Sequence, residues 1–191
     1  MIDFTPLHNR SMTYSAFAAT VSPNDLRPAL EESADELLAI LKTCTDADVT
    51  FVPTDPAAKD DAADRPEDAA IAWTAAHIIV HVTASAEETA FLGAELARGV
   101  THHGRSRSEV PWETVTTVAQ CRQRVIESRR MRLAARDMWP DTPDLTTSNE
   151  PFPSAGQLNA IGYMLLGLIH EQGHLAQLRD AIGQAQAARG A

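Results

Sequence analysis

The sequence predicts an all-α fold, and within that class a four-helix bundle. Four segments of helical length carry apolar faces, capping signals stand at their starts, and no strand-like alternation of useful length occurs. Alanine is abundant and aromatics make up only 5% of the 191 residues, which favours helix because alanine loses no side-chain entropy there. A chain of this length can bury one substantial core.

Residues 1–21 read as an N-terminal arm, 22–186 as the bundle and 187–191 as a C-terminal tail. The first helix begins at Ser22-Pro23-Asn24-Asp25. There serine can cap free amides, proline suits the first helical position and the acid complements the helix dipole. Leu26, Leu30, Leu37, Leu38 and Leu41 continue as a one-sided stripe to about Cys44. Thr45 to Ala70 is expected to be loop, with a mobile acid-rich middle from Lys59 to Asp68. The second helix runs from near Trp73 to Arg98, with Thr74 as N-cap and Gly99 as its stop, although Asp64 and Pro66 also allow an earlier start. After a polar loop, the third opens near Thr117, with Gln120 three residues on as in a capping box, and ends at Trp139 ahead of Pro140. The fourth is expected from Ser154, with Gln157 at the same spacing, to about Gln184. Its stretch Ile161 to Ile169 is apolar nearly all round, so this helix belongs at the centre.

The formal charge of −10 argues against a nucleic-acid partner, because such a surface repels phosphates. The arginines between Arg122 and Arg136 are spread around the third helix and read as a solvated face. Cys44 and Cys121 form no C-x-x-C pair and are expected to be small buried residues rather than nucleophiles. The N-terminus lacks the apolar core of a signal peptide, and the longest apolar run, Tyr163 to Ile169, is too short for a bilayer. A soluble, cytoplasmic protein is expected, with no membrane partner. Apolar surplus on the first and third helices would permit a homodimer.

Seven histidines occur, and His170 and His174 are four apart, so on a helix they share one face. They follow the most apolar segment of the chain, where an imidazole needs a partner to offset lost hydration. Spacing alone does not settle whether that partner is a metal ion. His170-Glu171-Gln172-Gly173-His174 also reads H-E-x-x-H, with Glu171 as general base. That metalloprotease pattern needs a third ligand farther on; no His or Glu follows His174, and Gln177 stands where the extended motif has glycine. A di-iron carboxylate bundle needs two Glu-x-x-His pairs and further glutamates, and only Glu171 with His174 supplies one. His81, within Ile78-Ile79-Val80-His81-Val82, offers a third imidazole from the second helix. Three protein nitrogens with an open position would suit a catalytic rather than a sealed structural site.

Trp73-Thr74-Ala75-Ala76-His77-Ile78-Ile79-Val80-His81 resembles the W-S-x-x-E-x-x-x-H segment of DinB-like proteins, and H-E-Q-G-H-L-A-Q-L, His170 to Leu178, resembles that family's last-helix H-x-x-x-H-x-x-Q-[IL]. Val49-Thr50-Phe51-Val52-Pro53 is similar to its loop ahead of the tryptophan. In order and spacing the resemblance covers roughly residues 22 to 185. It implies an up-down-down-up topology and a divalent metal ion held by His81, His170 and His174. It also implies a kinship with thiol S-transferases that use bacillithiol or mycothiol and with a mycothiol-dependent maleylpyruvate isomerase. His77 departs from the pattern, which commonly has glutamate there. As the capping-box partner of Thr74 it points to a structural role; as the residue four before His81 it could instead be a fourth ligand or orient one.

Three imidazoles suit zinc, nickel, iron or copper. Such an ion could hold a low-molecular-weight thiol as thiolate beside a small electrophile. A non-catalytic, stress-associated metal-binding bundle is the alternative, and histidines that bond only to one another a third. Glu171, between the two histidines, points away from their shared face. Gln177 could orient a ligand by hydrogen bonding or be solvated. Trp73, Trp112, Trp139 and Tyr163 are expected to pack in the core, one or two of them at the mouth of a metal cavity; Trp139 reads as a packing anchor. His102 and His103 are expected to be solvated, and His8 carries no signal.

Overall fold

A computed structural model describes residues 2–56, 58–59, 69–104 and 110–190. The described chain is helical, with one isolated antiparallel bridge between Asn149 and Leu158 in place of any strand. Two short helices, α1 (Thr5–His8) and α2 (Tyr14–Ala18), precede the first long one, α3 (Pro23–Ile40), which tightens into a 3-10 turn at Leu41–Thr43. Then come α4 (Asp46–Thr50), α5 (Ala75–Ala97), a 3-10 turn at Trp112–Thr114, α6 (Val118–Asp137) and α7 (Ala160–Ala188).

The starts of the long helices follow from local chemistry. Ser22 and Asp25 form a capping box on α3, with Pro23 in its first turn, and Thr117 with Gln120 forms another on α6. The Thr74 hydroxyl accepts the backbone N–H of His77 at the head of α5. Gly99, with φ of +76°, ends that helix in the left-handed conformation that glycine adopts without strain.

Three expectations are corrected. The fourth helix does not start at Ser154: Gly156, at φ +67°, turns the chain, Leu158 exchanges both backbone hydrogen bonds with Asn149, and Asn159 becomes the cap by accepting from Gly162 N–H. At its other end α7 runs past Gln184 to Ala188. The segment from Thr45 is not all loop, because Thr45 and Asp48 cap α4 and the buried Asp48 carboxylate takes two hydrogen bonds from Arg189, at 2.8 and 3.1 Å. That pairing holds the Asp48 carboxyl below the usual range. Apart from Lys59, the acid-rich stretch Lys59 to Asp68 lies outside the described residues, as do Asp64 and Pro66.

The third correction concerns two arginines of α6; Arg122 and Arg130 are exposed, as expected, but Arg132 and Arg124 are not. Arg132 is 1% exposed and donates to Glu171 on α7 at 2.8 Å, and Arg124 pairs with the buried Glu87 on α5 at 2.5 Å. These arginines face inward because α6 is covered by α3 and α5, and carboxylates on the neighbouring helices receive them.

α5 and α7 form the spine and run antiparallel. Residues 90–97 of α5 share a core with 160–169 of α7, together with Phe4, Leu7 and Phe17 from the N-terminal segment. Residues 75–82 share a second core with 175–182. Glycines allow the close approach: a Cβ on Gly167 would come within 3.2 Å of the Ala86 Cα, and one on Gly93 within 3.1 Å of the Ala160 carbonyl oxygen. Trp139 is buried at the end of α6, with the Arg136 guanidinium 4.7 Å from its ring centre. No helix among the described residues is long and apolar enough to cross a membrane.

Candidate metal centre

His81 lies one and a half turns into α5, among the fully buried Ile78, Ile79, Val80 and Val82. On the facing stretch of α7, His170 and His174 present adjacent turns of one helix face, as their spacing requires. The three rings meet: centroids are 4.9 Å apart for His81 and His170, 5.1 Å for His81 and His174, and 4.8 Å for His170 and His174. One nitrogen from each lies within 4.8 Å of the other two, and Nε2 of His81 is 3.2 Å from Nε2 of His170. All three side chains are half-buried.

The donor set fits a metal ion. Tetrahedral coordination with bonds of about 2.0–2.1 Å places donors about 3.3 Å apart, close to the spacing of His81 and His170. A hydrogen bond alone would explain two converging rings, but not the third. His174 is also prepared on its far side: its Nδ1 lies 2.8 Å from Oε1 of Gln177, which can accept only from an N–H. That bond selects the Nδ1–H tautomer and leaves Nε2 as the donor nitrogen.

Glu171 takes no part in this convergence. Its side chain is 1% exposed and points to the opposite side of α7, where Arg132 of α6 and the Ser33 hydroxyl of α3 both donate to it. His77 is not among the converging residues either. Rather than capping the helix, its ring is stacked between Trp73 and Trp112. Trp73 in turn lies against His174 and His81.

A cavity of about 560 Å³ adjoins the cluster, with His81 and His170 in its wall. Leu92, Leu166 and Ile169 give it apolar sides, Tyr14 and Phe152 meet edge to face at 6.4 Å, and Tyr163 carries the hydroxyl. The Tyr163 oxygen accepts from the Asn149 amide at 2.6 Å; burial, opposed by that bond, pushes its pKa up. Tyr163 precedes His170 by seven residues, two turns along the same face, and that register was readable in the sequence. Tyr14, Asn149 and Phe152 had no such signal, because tertiary folding brings them there from irregular segments and a short helix. His102, expected to be solvated, is half-buried in the cavity wall, whereas His103 is exposed and lies 3.1 Å from Glu95. His8, near the N-terminus, meets Gln172 at 3.0 Å.

Both cysteines are free thiols. Burial pushes the Cys121 thiol up to about 12 and raises that of the half-buried Cys44, so neither is set up as a thiolate nucleophile.

The family model of the DinB superfamily matches residues 29–178, most of the chain and all three histidines. The chain belongs to the DinB superfamily. Its match closes at Leu178, one residue after Gln177, so the residue that orients His174 lies within the DinB region too. Neither the curated proteins nor the solved structures contain a match to the chain.

Proposed function

We propose that this DinB-superfamily protein binds one divalent metal ion through His81, His170 and His174 and is a metal-dependent thiol S-transferase, joining a low-molecular-weight thiol to a small electrophile in the cytoplasm. The four long helices are read as the up-down-down-up bundle. The observation that carries the proposal is the meeting of three imidazole nitrogens within 4.8 Å, at the wall of a cavity large enough for a small molecule.

What a divalent ion supplies at such a site is Lewis acidity, which lowers the pKa of a thiol and raises its thiolate fraction near neutral pH. The protein's own residues do the rest. The three histidines bind, and Gln177 fixes the tautomer of His174. The apolar walls hold the electrophile and exclude water, while Tyr163, its oxygen already bonded to Asn149, keeps its own proton to donate into the cavity. The nucleophile must come from the cosubstrate, because Cys121 is held protonated by burial. Glu171 is engaged by Arg132 and Ser33 and does not act as the proton acceptor of a hydrolase.

Metal analysis of protein purified without an affinity tag, wild type against His174→Ala, tests the first half. The wild type should carry close to one equivalent and the variant far less; equal content would overturn the assignment. Bacillithiol, mycothiol and glutathione, each offered with a fluorogenic electrophile, test the second. Turnover that depends on one of these thiols and on the metal is expected, and its absence with all three would remove the transferase reading.

A further inference from the structure

Trp73 lies just ahead of α5, outside the helix, and is buried at the edge of the core that α5 shares with the end of α7. The ring touches two members of the histidine cluster: it is near-parallel to His174, at 5.6 Å and 15°, and tilted against His81, at 4.7 Å and 57°. Beyond the apolar core around it, its ring is backed by His77, on the first turn of α5, stacked on it at 4.4 Å and 24°. His77 in turn stacks on Trp112, at 4.6 Å with planes only 3° apart. Trp112 comes from the 3-10 turn that precedes α6. Four rings, Trp112, His77, Trp73 and His174, thus form one row that ends in the cluster.

We propose that His77 is a positioning residue for the metal centre: it holds Trp73 against His174 and His81 and so fixes the ring planes on which convergence depends. This rests on the metal reading above. Coordination demands donors within about 0.5 Å and 10–20° of their required positions. The Gln177 bond restrains one edge of the His174 ring, and a ring held at one edge can still tilt; the face of Trp73 opposes that tilt.

Service to the helix end does not explain a histidine here. Thr74 caps α5 by accepting the backbone N–H of residue 77, which any residue but proline would supply. Ligation does not explain it either, since the nitrogens that converge are those of His81, His170 and His174, while His77 presents its two faces to tryptophans. What position 77 supplies is a flat ring of the right height between two indoles.

Cobalt(II) titration of the tag-free apoprotein, followed by visible absorption with zinc in competition, separates these roles in His77→Ala and His77→Phe. Loss of the ring should weaken binding roughly 10- to 100-fold, and phenylalanine, which stacks but cannot ligate, should restore it to within about threefold of wild type. Near-UV circular dichroism and melting establish that the variants are folded. Should His77→Ala unfold, Trp112→Ala loosens the row from its outer end and should weaken binding in the same direction. Wild-type affinity in His77→Ala would overturn this inference alone, and so would a fall in His77→Phe as deep as in His77→Ala, since that would make a ring nitrogen the need. A wild-type protein that binds neither cobalt nor zinc would overturn the metal reading and this inference together.

Discussion

A histidine aims a nitrogen at a metal only if something else holds its ring, and His174 depends in this respect on Gln177, one turn further along α7. Replacing Gln177 with leucine keeps the bulk of the side chain and removes the acceptor opposite Nδ1. The ring is then free to exchange tautomers and rotate. Zinc affinity, read by competition with a chromogenic chelator, should fall roughly 10- to 100-fold while the melting temperature of the apoprotein hardly moves, since Gln177 is only half-buried. Unchanged affinity would mean that the tautomer of His174 is set elsewhere. The local relations were legible: His170, His174 and Gln177 sit at helical spacing and announce a shared face. His81 was legible from its apolar setting, although only the fold brings it 89 positions back to His170. The row of rings around His77 was not, because stacking depends on the approach of Trp112 from a separate turn, which no spacing along α5 encodes.

Among the elements, helix starts were readable wherever the cap is a local bargain between neighbours, as at Ser22, Thr74 and Thr117. Ser154 and Gln157 have the same spacing as Thr117 and Gln120, yet no helix forms there. The backbone of Leu158 is committed to Asn149, a contact across nine positions, and that longer-range pair outbids the local signal. The spacing between α5 and α7 was likewise invisible to periodicity. It is set at Gly167, where an added Cβ would meet Thr89 Oγ1 at 2.2 Å and the Ala86 Cα at 3.2 Å. Thr89 cannot simply rotate away at no cost, since its hydroxyl is bonded to the Ala86 carbonyl at 3.1 Å. Gly167→Ala should therefore destabilise the protein by about 1–3 kcal/mol, the usual range for overpacking. His170 lies one turn further on, so the same displacement should weaken metal binding as well. Thr89→Ala in the same chain removes the worst contact and should recover most of both losses; a Gly167→Ala protein with wild-type melting and zinc affinity would show that the two helices do not need this proximity.

For the whole molecule, the decisive contact lies behind the three-histidine cluster, where Ser33 of α3, Arg132 of α6 and Glu171 of α7 meet. Of the two charged positions the sequence misled at one. Glu171, between two histidines on a helix, was expected to point away from their shared face and does so, whereas Arg132 stands in a run that reads as solvated; only the convergence of three helices makes them a buried pair, each 1% exposed. Because Glu171 is flanked in sequence by His170 and projects from the other side of α7, the pair fixes the rotation of that helix and hence the direction in which both histidines face. Breaking it should be costly: Glu171→Leu strands a buried guanidinium and should cost about 3–5 kcal/mol. The pair itself is a poor source of stability, since Nε and Nη2 of Arg132 have no hydrogen-bond partner among the described residues. Glu171→Leu combined with Arg132→Met should accordingly regain much of that loss, as apolar replacements of buried ion pairs often do. This double variant also separates a strut from a proton acceptor. If Glu171 only orients α7, the refolded double variant should bind zinc as the wild type does and, under the proposed transferase function, match its thiol-dependent rate, because the histidines face the cavity again. If Glu171 moves a proton in the reaction, the double variant would bind zinc normally and yet lose turnover, a result that would contradict the role assigned to it by its burial against Arg132.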